Sequence, residues 1–173
     1  MPNLSAPQKF LLAIIVQVII ISALFLFNFS IASSGKEIFL RIRPVDPTDP
    51  IRGDYIVFSF DISNRGYYGD DSLQEGDDVY VPLCRTSNYD PYWSVCGKIG
   101  KTMERTSTDQ EVTYIKGKMK LGSIIYGIEN YYIPEGTGRD INFWNKEVFA
   151  KVKVDSNGNA VLEKVYLDGK PWP

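Results

Sequence analysis

Histidine is absent from the 173 residues, cysteine occurs twice, and no run of Lys or Arg stands anywhere along the chain. Each shortage excludes a chemistry. Without histidine there is no Ser-His or Cys-His pair for nucleophilic catalysis, and two cysteines alone do not complete a tetrahedral zinc site. No metal and no cofactor is expected. A formal net charge of −2 with no basic patch removes the electrostatic footprint that nucleic acid requires, so no nucleic-acid partner is expected either. Phosphate-binding loops are missing too, since Gly136 and Gly138 lack the strand-to-helix setting and the following lysine.

What the chain does carry near its start is oil. From Phe10 to Phe29 the polar residues are Gln17, Ser22 and Asn28, and none is charged. That length matches a hydrocarbon core of roughly 30 Å. About fifteen Leu, Ile, Val and Phe side chains, at roughly −0.3 to −0.6 kcal/mol each, contribute on the order of −5 to −9 kcal/mol to insertion. Residues 10–29 are therefore expected to be a transmembrane helix after a short tail at 1–9, with the lipid bilayer as partner. A cleaved secretory signal is the rival, because Ser30-Ile31-Ala32 offers a small-residue cleavage site, but signal cores run only about 7–15 residues. Charge counting points to the wrong side: Lys9 precedes the helix, whereas Lys36, Arg41 and Arg43 follow it.

The cysteines argue the opposite orientation. Cys84 and Cys96 lie in two strand-like runs, residues 79–84 and 92–96, that can pair as a hairpin with a cross-strand disulfide, which implies an oxidising compartment. Two separately buried thiols are the alternative. Residues 35–173 are enough for one independent core and too few to argue for two, so a single β-rich extracytoplasmic domain is expected there.

Periodicity makes that domain mainly β. Ile38, Leu40 and Ile42 alternate with Phe39, Arg41 and Arg43 in a half-buried strand that starts almost at the membrane. Prolines 44, 47 and 50 hold an extended loop closed by a turn at Arg52-Gly53-Asp54, and a strand follows over Tyr55 to Ile62 with Ile56, Phe58, Phe60 and Ile62 inward. Residues 63–78 read as a surface loop. Further strands are expected over Val112 to Met119 and Ile124 to Ile133, with a short helix around Arg139 to Asn145. The clearest hairpin joins Val148–Val154 to Ala160–Leu167 through Asp155-Ser156-Asn157-Gly158-Asn159. The expected architecture is an antiparallel sandwich or partly closed barrel preceded by one transmembrane helix.

Two stretches are unusual for loops: Arg43 to Tyr55, with its three spaced prolines, and Tyr126 to Gly138, with Pro134-Glu135-Gly136. They resemble the signature stretches of the GDYXXLXY domain family, whose motif matches Gly53-Asp54-Tyr55-Ile56-Val57-Phe58-Ser59-Phe60. Phe58 stands where the family has Leu and Phe60 where it has Tyr. Both keep a large apolar body on one strand face, but Phe60 lacks the hydroxyl. The resemblance implies a bacterial, membrane-anchored group of uncharacterised function, often encoded beside polytopic membrane proteins, and hence a polytopic partner.

Arg43, Asp46, Asp49, Arg52, Asp54, Glu129, Glu135 and Arg139 supply balanced charge at strand ends. With Gly53, Tyr55 and Tyr131 they form the candidate set for binding a partner or ligand; ion pairs that merely fix the loops are the bland alternative. The tripeptide Arg52-Gly53-Asp54 needs no adhesion role, since a turn accounts for it. Tyr67, Tyr68, Tyr89, Tyr92, Trp93, Tyr131 and Tyr132 suit an aromatic contact surface or a sheet core equally.

An enzymatic reading is weaker. Pro47-Thr48, Gly53-Asp54 and Pro134-Glu135-Gly136 are similar, in order, to segments of bacterial signal peptidases. Pro44 falls where the nucleophilic serine would stand, and Lys116 as a general base has nothing to activate. Carboxylate hydrolysis by Glu129 and Glu135 remains, without a fixed separation. The expectation is an accessory or partner-binding subunit of a polytopic membrane protein; an envelope hydrolase using the two glutamates, or an inactive signal-peptidase-like scaffold, is the alternative.

Overall fold

The computed structural model describes residues 5–43, 55–64, 66–69, 72–85, 91–104, 111–133 and 146–172, with Tyr55, Ile56 and Tyr67 described by backbone alone. Helix α1 spans Ala6–Ser34, longer at both ends than the apolar run. Its start is fixed by Pro7 in the first turn and by Gln8, whose Oε1 accepts the Ser5 N–H at 2.8 Å. The 18-residue stretch of highest mean hydropathy, 3.0, is wholly unburied. A core helix of a soluble protein would be covered; this one is long and apolar enough to cross a membrane, consistent with single-pass anchoring.

The last turn of α1 behaves differently. Ile31 is buried, and the Gly35 N–H donates to the Ile31 carbonyl at 2.8 Å. A Cβ on Gly35 would stand 2.5 Å from that carbonyl oxygen and 3.1 Å from the Val154 nitrogen. The helix therefore passes into the sheet at a point with no room for a side chain.

Strand β1 (Lys36–Arg43) pairs antiparallel with β9 (Val148–Val154), from Lys36↔Val154 to Arg41↔Phe149. The five-stranded sheet continues through β10 (Ala160–Leu167) to β11 (Lys170–Trp172), and on β1's other edge to β3 (Ser59–Phe60). A second sheet orders β5 (Trp93–Val95), β4 (Asp78–Arg85), β6 (Val112–Lys120) and β7 (Ser123–Ile125). Two seams bring the sheets together. Phe39 of β1 bridges to Tyr92 beside β5, and the Lys116 N–H of β6 donates to Gly158, in the β9–β10 turn, at 2.8 Å. Side chains from both sheets fill one interior: Ile38, Leu40, Ala150 and Val152 on one side, Val79, Val81, Leu83 and Ile115 on the other. The fold is thus mainly β and antiparallel, with one N-terminal apolar helix.

Two expected strands are interrupted. Tyr55 to Ile62 divides into β2 (Tyr55–Val57), β3 and a 3-10 turn at Asp61–Ser63, because β2 and β3 pair with different partners. Phe58, Phe60 and Ile62 are nonetheless buried as their spacing implies. Ile124 to Ile133 likewise divides into β7 and β8 (Asn130–Tyr132), separated by a turn in which Gly127 takes φ +80°. The 63–78 loop holds a 3-10 turn at Gly66–Tyr68 and buries Leu73, and β11 was not legible from periodicity. The helix expected around residues 139–145 lies outside the described residues.

Cys84 and Cys96 are bonded to each other, with Cα atoms 5.6 Å apart. Strand register puts Ser94 opposite Cys84, so the bridge runs diagonally to the residue after β5, whose N–H donates to Pro82. With a sequence separation of 12, its reduction is expected to cost about 3 kcal/mol; the denaturation midpoint of the full chain should fall with reductant, and the Cys84→Ala/Cys96→Ala variant should show the lower midpoint without it. Gly117 gives a second check. A Cβ there would lie 2.4 Å from Ile124 Cγ2 and about 3 Å from the Tyr126 ring, so Gly117→Ala is expected to destabilise by about 1–3 kcal/mol in the same assay.

Candidate functional site

Strand register brings the two unusual stretches together. Ser59 lies opposite Arg43 at the end of β1 away from the helix, and β2 beside it pairs with β8: Tyr55↔Tyr132, Ile56↔Tyr131, Val57↔Asn130. The Phe58 N–H closes the ribbon on the Glu129 carbonyl at 2.8 Å. The first stretch therefore ends beside the point where the second continues.

Glu129 is 8% exposed, and its Oε1 accepts the Tyr126 N–H at 2.6 Å. The carboxylate thereby satisfies a backbone donor that the sheet abandons where β7 stops. Tyr126 is buried as well. Its hydroxyl donates to the Ile62 carbonyl at 2.6 Å, and burial, with the Glu129 charge nearby, pushes its phenol well above the ordinary range. Three segments, 58–62, 124–126 and 129–132, are thus tied by these two side chains. The Tyr131 hydroxyl donates to the Trp172 carbonyl at 3.2 Å, and its ring packs between Phe58 and Trp172, with burial raising its pKa. Tyr132 points outward and is 80% exposed.

Of the other candidate residues, Arg43 donates through Nε to Asp61 at 2.6 Å, an exposed pair. Asp46, Asp49, Arg52, Gly53, Asp54, Glu135 and Arg139 lie outside the described residues, as does the Tyr55 side chain. Lys116 is paired with Asp78 at 3.0 Å, which raises its pKa, the opposite of what a general-base lysine needs.

The described members of the aromatic set do not form one surface, and Tyr89 and the Tyr67 side chain lie outside the described residues. Tyr92 and Trp93 are buried, Tyr68 and Tyr132 exposed. Sequence reasoning passed over a cluster on the outer face of the five-stranded sheet: Phe149 stacks on Tyr166 at 4.9 Å, meets Phe39 and Tyr92 edge-on, and Arg41 lies 4.6 Å over Tyr92. The alternation Phe39-x-Arg41 beside Phe149 was its signal, because outward positions on paired strands meet. Two clefts separate α1 from the sheets. One, about 560 Å³, is lined by Ser30, Ser34, Lys36 and Thr113; the other, about 420 Å³, by Phe27, Ile31, Lys116, Lys118 and Ile125.

Compared with known families, the chain matches the GDYXXLXY protein family over residues 17–165. Among curated proteins and among solved structures nothing matches. The weaker likeness to signal peptidases has no support in these comparisons.

Glu129→Ala is expected to cost about 1.5–3 kcal/mol, the value of a buried hydrogen bond to a charged group. Glu129→Gln, which keeps the acceptor oxygen, should cost much less. Denaturant midpoints of the two variants check this, and equal losses would contradict the assigned bond.

Proposed function

The chain belongs to the GDYXXLXY protein family, and from that premise we propose that it is a bacterial single-pass envelope protein whose β domain lies outside the cytoplasm and serves a polytopic membrane protein as an accessory subunit. The observation that carries this reading is the β2–β8 ribbon. It joins two signature stretches, distant in sequence, at the end of β1 opposite the helix, and presents Tyr132 to solvent beside them. Exposed aromatics beside ordered backbone are favoured contact anchors. The Cys84–Cys96 bridge supports the extracytoplasmic side, because disulfides persist in oxidising compartments. The buried, backbone-bonded state of Glu129 gives a carboxylate-pair hydrolase no support.

Two measurements test the reading. A membrane-impermeant maleimide should label Lys170→Cys in intact cells without lysis; labelling that requires lysis would place the domain on the cytoplasmic side. Gentle detergent extraction at native expression should recover a polytopic protein with the chain, and Tyr132→Arg should reduce that recovery by about tenfold or more, as loss of a central aromatic contact does. Recovery of the chain alone sinks the accessory role.

A further inference from the structure

The hairpin of β6 and β7 turns through Leu121-Gly122, both in the left-handed region, at φ 50° and 76°. Such turns favour Asn, Asp or Gly at their first position, because a branched or bulky side chain there is strained. The hairpin of β10 and β11 turns in the same region at Asp168-Gly169 and uses a conventional residue, whose carboxylate also accepts the Glu147 N–H at 3.0 Å. Leu121 gains nothing comparable within the fold. At 88% it is the most exposed large hydrophobic side chain among the described residues.

The tip is nevertheless held firmly. The Leu121 N–H donates to both Glu75 carboxylate oxygens at 2.8 and 3.0 Å, Gly76 donates to the Met119 carbonyl, and Met119 to the Asp77 carbonyl, each at 2.9 Å. Its direction follows from the two clefts. Ser30 and Ser34 share one with Val112, Thr113 and Tyr114, while Phe27, Asn28 and Ile31 share the other with Lys116, Lys118 and Ile125. Helix numbers fall as strand numbers rise, so β6 runs back along α1 toward its apolar stretch and carries the tip that way. Exposed Lys118 and Lys120 flank it, and Ile125 is 38% exposed. Of the nearby acids, Glu75 is held on the tip backbone, Asp77 by Lys101 at 2.7 Å, and Asp78 by Lys116 at 3.0 Å and by Lys118 at 3.8 Å.

We propose that this hairpin is a second membrane contact: Leu121 and Ile125 enter the interface of the bilayer that α1 crosses, and Lys120 extends to lipid phosphates. Long lysine stems suit that boundary, their charge staying at headgroup level while the methylenes lie in the apolar layer. A rigid second contact fixes the tilt of the β domain over the bilayer, which one helix alone leaves free. The inference rests on α1 being the anchor.

The test is nitroxide accessibility in the purified full chain, reconstituted without other proteins into phosphatidylcholine vesicles and labelled singly at Leu121→Cys, Ile20→Cys or Lys170→Cys. Position 121 is expected to resemble position 20, open to oxygen and several-fold less open to an aqueous nickel chelate than position 170. A nickel-accessible 121 with a lipid-shielded 20 overturns the hairpin contact and leaves the anchor standing. A nickel-accessible 20 overturns both. Spin–spin broadening at 121 that fades on dilution with unlabelled chain would assign the tip to a second copy and overturn the lipid assignment.

Discussion

Everything in this molecule hangs on strand β1 being handed directly from the helix to the interior of the sheet. Gly35 leaves no residue to spare between Ser34 and Lys36, and its missing side chain lets the Ile31 carbonyl and the Val154 backbone close on the junction. From there β1 supports β9 along one edge and Tyr92 and β3 along the other, with Ile38, Leu40 and Ile42 facing the common core. A strand gripped on both edges and buried on one face has no freedom to slip register, because a one-residue shift would turn its apolar set outward. The direction of the helix relative to the β domain is set at the same place.

Polar groups inside and outside this body serve different ends. Those buried near the ribbon, Glu129 and the Tyr126 hydroxyl, take up backbone groups that the divided strands leave over, and removing either exposes an unpaired partner. The pairs outside, such as Glu37 with Lys151 at 2.8 Å and Lys153 at 3.5 Å, lie on a solvated face. They hold the Glu37 carboxyl below its usual pKa yet add little to stability, since water screens them. Hence the β2–β8 ribbon is held by backbone satisfaction rather than by surface charge.

Much of this was readable before any coordinates. The apolar run announced α1, and strict alternation in Lys36–Arg43 and Val148–Val154 announced two central strands with the correct inward faces. Asp155 to Asn159 announced their hairpin, where Asp155 accepts the Asn157 and Asn159 N–H groups. The two divided strands were not readable, because composition does not reveal that a chain changes partner midway: Val57 and Ser59 have the same strand character, but one pairs across to Asn130 and the neighbouring segment to Arg43. Nor was the structural role of Glu129, because sequence spacing does not show that its carboxylate accepts the backbone N–H three residues earlier.

Local chemistry along the chain therefore decided three things: that an oily segment precedes the β domain, that the domain is antiparallel, and which side chains enter its core. These follow from period and polarity, which act between near neighbours. Tertiary structure alone decided that the two signature stretches meet in one ribbon, that the cysteine bridge runs diagonally, and that Leu121 stands exposed on a hairpin tip held by Glu75. Those depend on contacts between residues far apart in sequence, whose pairing is chosen by the shape of the whole core and by which backbone groups remain to be satisfied once the central strands are in place.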